Sequence, residues 1–205
     1  KIISFTKQAG IDVALASNGV TLEPEITEKV LPSLSWLKIS LNAGKKATYA
    51  RVHRANCDDF KLVLGNLREA VLIRNKYRYP CVIGAQSVLL SQNFHEMTEL
   101  AKKLRDLGID YLVIKPYSQH CFSQHKLKLS FRHKDLLDLQ EKLKRYSRDN
   151  FQVIFRINAM EKIDEEKPYG SCLGLPFISH IAATGDVYPC TVFIGQKDFS
   201  FGSIY

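Results

Sequence analysis

Two cysteines, Cys172 and Cys190, carry the most specific spacing in the chain. Twelve residues separate Cys172 from Gly185, and four more separate Gly185 from Cys190. Thiolates suit iron–sulfur clusters or zinc, and Gly185-Asp186 suits a tight hairpin turn between two short strands. Two thiolates do not complete a four-ligand site, and taken alone the pair reads equally well as two buried thiols. Cys57, Cys81 and Cys121 have no regular spacing and are read as structural.

Polar residues at the ends of apolar stretches form the second group of candidates. Ser17-Asn18-Gly19 follows the apolar run Asp12–Ala16, either as ligand contacts or as a tight turn in which Asn18 or Gly19 takes positive φ. Ser40 and Asn42 stand two apart, so they face one side of a strand and need partners there. Gln86 lies within Gly84-Ala85-Gln86-Ser87, where glycine permits close backbone approach and the amide offers both donor and acceptor. Lys115 opens the polar, aromatic stretch Lys115–His120, and either meets an anionic group or lies in an exposed loop. Sheet-based enzymes bind ligands at the carboxyl ends of parallel strands, which is where these residues fall.

The elements that must position them alternate in period. Strands are expected at Asp12–Ala16, Trp36–Leu41, Val82–Leu89, Tyr111–Ile114 and Phe151–Ile157, several apolar nearly throughout, as in a parallel sheet. A helix is expected over Phe94–Leu107, with Asn93 capping its start, Glu96 at the reciprocal position and Gly108 ending it. Others are expected at Ile2–Ala9, Glu25–Val30, from Asp58 or Asp59 to Arg74 or beyond, and over Lys134–Tyr146. This alternation is the signature of βα units. After Ile157 the pattern changes to the charged Lys162–Lys167, a turn at Pro168-Tyr169-Gly170 and short strands at Ile178–Ala183 and Val187–Tyr188. A domain boundary is therefore placed near Asn158, dividing residues 1–157 from 158–205, and both chain ends read as cut.

Composition narrows the function. Among 205 residues, 29 Lys and Arg oppose 21 Asp and Glu, a net charge of +8, but the excess is scattered over solvated helix faces and gives nucleic acid little to bind. No apolar run reaches the roughly 20 residues of a membrane span and no signal core leads the chain, so a soluble, cytoplasmic protein is expected. The absence of GxGxxG, Walker A and GxSxG patterns argues against dinucleotide binding, nucleotide hydrolysis and acyl transfer.

The order of these elements resembles radical S-adenosylmethionine (SAM) enzymes that carry a SPASM or twitch extension. Ser17-Asn18-Gly19 is similar to the Thr-Asn-Gly-like turn after that family's third strand. Ile39-Ser40-Leu41-Asn42, followed by a small residue and Gly44, is similar to its fourth strand, with Asn42 where Asp is usual. Tyr49–Arg54 resembles the segment that links this strand to its helix. Ile181–Cys190 is similar to the auxiliary-cluster hairpin, with Cys172 as the preceding ligand.

The resemblance implies a partial (β/α)6 barrel from the third βα unit onward, followed by the start of the auxiliary domain. It implies a [4Fe-4S] cluster whose CxxxCxxC loop is not in this chain, and an auxiliary [4Fe-4S] or [2Fe-2S] cluster on Cys172 and Cys190, its remaining cysteines lying beyond Tyr205. Ser17, Asn18, Ser40, Asn42, Gln86 and Lys115 are the implied cofactor contacts. The implied reaction is reductive SAM cleavage to a 5′-deoxyadenosyl radical, which abstracts hydrogen from a peptide, sugar or small molecule. An electron donor such as flavodoxin or ferredoxin is the implied partner. Two other readings stand beside it: a cluster-free α/β binding or scaffold domain, and a zinc-stabilised module using His180 or His120 with the two cysteines.

Overall fold

The five expected strands form in the computed structural model, which describes residues 1–119, 127–148, 150–162 and 169–205. They are β1 (Val13–Ser17), β2 (Leu34–Ser40), β3 (Val82–Leu89), β4 (Tyr111–Pro116) and β5 (Gln152–Phe155). All pair in parallel, in the order β1-β2-β3-β4-β5. Parallel pairing needs a crossover between strands, and the helices supply it: α2 (Pro24–Val30), α3 (Lys46–His53), α4 (Asp59–Tyr77), α5 (Met97–Leu107) and α6 (His133–Lys144). Helix α1 (Ile2–Gln8) precedes the sheet and α7 (Ile157–Glu161) follows it. The result is the α/β partial barrel expected from the sequence. His120 and Cys121, and most of the 162–168 stretch, lie outside the described residues.

One face of the sheet is covered and the other open. Leu37, Ile39, Ile83, Ala85, Leu89, Leu112 and Ile114 are fully buried under the helices, each large side chain contributing about 1.5–3 kcal/mol of burial. Their alternating neighbours Trp36, Lys38, Ser40, Gln86, Val88, Tyr111, Val113 and Lys115 are only half-buried. Strand period two sorts the residues this way: the aliphatic set anchors the sheet, and the mixed polar and aromatic set lines the open face.

Helix α5 begins differently from the expected capping box. Phe94–Glu96 is a 3-10 turn leading into α5, and neither Asn93 nor Glu96 caps it. Both side chains have stronger claims elsewhere, described below. Its far end is as expected, with Gly108 left-handed at φ 81°. Helices α3 and α4 instead end on left-handed Arg54 and Arg78.

The described residues of Lys1–Tyr117 and Lys128–Ile163 form one unit, and those of Ser118–Leu127 and Asp164–Tyr205 form another. The first unit runs past Asn158 because α7 packs on β4 and α6. In the second, β6 (His180–Ile181), β7 (Asp186–Tyr188) and β8 (Gly202–Ser203) form an antiparallel sheet. Its hairpin turns at Gly185, whose N–H donates to Ala182 O at 2.9 Å. Among the described residues no helix is long and apolar enough to cross a membrane.

Candidate functional site

The open face of the sheet brings part of the expected site together. Ser40 and Gln86 are register partners across β2 and β3, with Val113 next in the same row. One row toward the amino ends, Lys38 pairs with Gly84 and Gly84 with Tyr111. One row toward the carboxyl ends, Val88 pairs with Lys115. Paired residues of a parallel sheet point the same way, so Ser40, Gln86, Lys38 and Lys115 share one surface. A Cβ on Gly84 would run into the Tyr111 ring, so this glycine is the seat of that ring. Burial, with Lys38 and then Arg156 nearby, holds the Lys115 ammonium below its ordinary range.

Ser17 and Asn18 do not join this surface. Ser17 pairs with Ile39, a residue of the helix-covered side, and its Oγ accepts the Gly19 N–H at 3.0 Å. Asn18 is exposed, and its Oδ1 accepts the Val20 N–H at 3.1 Å. Both side chains therefore close their own turn, in which Gly19 takes φ 79°. The turn is held from outside by Asn66 on α4, whose Nδ2 donates to Gly19 O at 2.8 Å and Val20 O at 3.1 Å. Sequence reasoning passed over Asn66. Its signal was a polar residue on the helix face that carries Phe60, Val63 and Leu67.

Asn42 sits at the centre of a knot of hydrogen bonds beyond the end of β2. Its Oδ1 accepts the Val88 N–H at 2.8 Å, tying it to β3. Its N–H donates to Nε2 of His53 at 3.1 Å, and its carbonyl accepts from Asn93 Nδ2 at 2.9 Å. Asn93, fully buried, also donates to Val88 O at 2.8 Å and accepts the Leu90 N–H at 2.8 Å. The side chain expected to cap α5 thus clamps the ends of β2 and β3 instead. A buried amide satisfied on both sides is worth more there than at a solvated helix end. His53 stacks on Tyr49 with ring centroids 4.3 Å apart, and burial pushes its pKa down, so the neutral ring accepts from Asn42.

Glu96 completes the loop. Its Oε2 accepts the N–H groups of Gly44 at 3.0 Å and Lys45 at 3.1 Å, and its Oε1 accepts from Thr48 Oγ1 at 2.6 Å. This is a capping interaction, but for α3 rather than α5, delivered from a distant part of the chain. The segment Tyr49–Arg54, likened above to a linking tract, is mostly α3 itself.

A cleft of about 1100 Å³ opens at the opposite end of the sheet, beside Val82, Tyr111 and Gln152. Two of its arginines are already paired, Arg74 with Asp110 and Arg105 with Asp106. Ligand chemistry is better served by the row of Ser40 and Gln86, whose polar ends have no comparable fixed partner among the described residues.

Cys172 is exposed and Cys190 half-buried, and both are free thiols of the second unit. Among the described residues no group of three His, Cys, Asp or Glu could hold a metal ion. The two cysteines are compatible with half of a cluster ligand set, and the described residues supply no more of one.

No family model and no curated protein matches the chain. Solved structures do. SuiB of Streptococcus suis, bound to S-adenosylmethionine, superposes with TM-score 0.69 at 17% identity, covering 98% of this chain and 48% of that one. The anSMEcpe enzyme with bound AdoMet and Kp18Cys peptide gives TM-score 0.59 at 17% identity, covering 94% and 54%. A domain of the pyruvate-formate lyase-activating enzyme of Bacteroides vulgatus gives 0.54 at 15% identity, covering 74% and 86%. The fold is that of the radical SAM enzymes. The chain spans about half the length of the SuiB and anSMEcpe chains that it matches.

Proposed function

We propose that this chain is part of a radical SAM enzyme and that its open sheet face binds SAM and substrate. The observation that carries this reading is the placement of Ser40 and Gln86 as register partners on the open face, near the carboxyl ends, within a radical SAM fold. Ser40 offers a hydroxyl and Gln86 an amide, donor and acceptor at once, which suits the ribose hydroxyls and the amino-acid end of SAM. Asn42 contributes by fixing where β2 ends. Its Oδ1 is committed to Val88, so any contact with a ligand falls to its amide nitrogen. Ser17 and Asn18 serve the same site as the closure of a turn. Lys115, in the row beyond Gln86, meets an anionic group.

Bound beside a reduced iron–sulfur cluster, SAM would supply the radical chemistry for hydrogen abstraction. The residues of this chain orient the cofactor and substrate and keep water from the face where they meet. The reducing electron comes from a flavodoxin- or ferredoxin-type donor. Peptide is the substrate class favoured over sugars and small metabolites, because SuiB and anSMEcpe have been solved with peptides bound. Cys172 and Cys190 are proposed ligands of an auxiliary cluster completed from outside the described residues.

The test is SAM affinity of the full-length protein by titration calorimetry. Ser40→Ala and Gln86→Ala each weaken binding about tenfold, equivalent to about 1.4 kcal/mol, with circular dichroism unchanged. Unaltered affinity in both variants overturns the assignment of this face to the cofactor.

A further inference from the structure

Three cations border the row of Ser40 and Gln86. Lys38 lies one row toward the amino ends on β2, and Lys115 one row toward the carboxyl ends on β4. Arg156 follows β5, and its N–H donates to Ile114 O at 2.9 Å, placing it beside Lys115. The residues that share this face on β1 to β5 include no Asp or Glu: they are alanines on β1 and Trp36, Ser40, Val82, Gly84, Gln86, Val88, Tyr111, Val113, Gln152 and Ile154. Among the described residues none of the three cations is in an ion pair. Lys38 rests its ammonium over the Trp36 ring, 4.8 Å from the centroid, a weak contact that an anion can compete for.

A face with cations only, two of them half-buried, is unfavourable to itself. Burial first, and then repulsion from Lys38 and Arg156, lowers the Lys115 pKa, and among the described residues no carboxylate pairs with any of the three cations. Several charged side chains elsewhere in this unit are paired: Arg74 with Asp110, Lys103 with Glu99, Lys7 with Asp12. The arrangement gains stability when an oxyanion enters.

We propose that Lys38, Lys115 and Arg156 bind an anionic group of the substrate, a carboxylate or phosphate, on the open face of the sheet. This rests on the reading of that face as the reaction site and adds the substrate's charge to it. Lys38 is the arm that moves, leaving the Trp36 ring for the anion. Lys115 and Arg156 hold the anion near the carboxyl ends, with Ser40 and Gln86 left to SAM. The substrate thereby approaches with its acidic group fixed and its reacting carbon turned toward the cofactor.

Trp36, the one tryptophan of the sequence, reports this directly. Tryptophan emission of the full-length protein is followed during titration with inorganic phosphate, and separately with acetate, at constant ionic strength maintained with chloride. Trp36→Phe identifies the share of the signal that belongs to this ring. The expected result is a saturating change with phosphate or acetate and none with chloride, whichever oxyanion binds more tightly naming the substrate's group. Arg156→Gln and Lys38→Gln each weaken the response at least about threefold, and together about tenfold, while SAM affinity by calorimetry changes less than twofold. Arg156→Lys retains most of the response if charge is what binds.

A response no greater than with chloride overturns the proposal. So does a response abolished by saturating SAM, which assigns the cations to the cofactor's own carboxylate. Saturable phosphate or acetate binding in a protein that does not bind SAM separates the two claims: the cation site then stands and the cofactor reading fails.

Discussion

Replacing Glu96 by alanine tests how the loop after β2 is held. The carboxylate accepts three hydrogen bonds, from Gly44 N–H, Lys45 N–H and Thr48 Oγ1. Hydrogen bonds to a charged group are each worth about 1.5–3 kcal/mol, though three on one carboxylate do not add in full. Alanine also strips partners from the buried Gly44 amide and Thr48 hydroxyl and removes a negative charge from the start of α3, worth about 0.3–1 kcal/mol more. The expected loss is about 3–5 kcal/mol for Glu96→Ala. Glu96→Gln keeps one acceptor oxygen for the two backbone amides and turns its NH2 to Thr48, which can accept, so only charge assistance is lost, about 1–2 kcal/mol. Urea denaturation measures both. Native-state hydrogen exchange adds location: the Gly44 and Lys45 amides lose protection in Glu96→Ala well beyond the fall in global stability. A loss below about 1 kcal/mol, or unchanged exchange at those two amides, refutes the reasoning.

Asn66→Leu removes the side-chain donor of Gly19 O, which keeps only the long Leu22 N–H contact, and of Val20 O, and costs about 1–3 kcal/mol by urea denaturation, loosening the Ser17–Gly19 turn. His53, whose folded pKa lies below the ordinary 6.5, binds its proton more readily when unfolded. Its contribution is therefore complete above about pH 6.5 and is lost as pH falls through the lower folded pKa, a slope in denaturation midpoints that His53→Gln flattens. Gly84→Ala evicts the Tyr111 ring at a cost of about 1 kcal/mol, since the ring is the free end of a flexible side chain, and this cost vanishes in a Tyr111→Ala background.

The sheet and most helices were legible because they depend on local pattern. The strands read as largely apolar runs, and α5 announced itself by apolar residues at three- and four-residue intervals and a glycine stop. Helix α3 was not legible as a helix. Its buried face is Thr48 and Tyr49 rather than a run of aliphatics, and its start is capped by a carboxylate some fifty residues away in the chain. Its end, like that of α4, is a left-handed arginine where a glycine would have marked the stop. The same distance hid the roles of Asn93 and Asn66: each looked like a local cap or an ordinary helix residue, and each ties together elements that meet only in the folded chain. Among the candidate residues, Ser40 was placed on one strand face by its two-residue spacing from Asn42, and Gln86 stood out as a polar residue in an otherwise apolar strand. That Ser17 points to the covered side follows from its register with Ile39, which no single strand reveals.

The strand order has a kinetic consequence. Each of β1 to β5 lies next to its predecessor in the chain, with no strand inserted later between two earlier ones. Every closure therefore spans one helical crossover and no more, and the entropy lost in each grows only slowly with the length of that crossover. A chain wired in this order can assemble by accretion as it leaves the ribosome, each new strand finding a finished edge and waiting for nothing still to be synthesised.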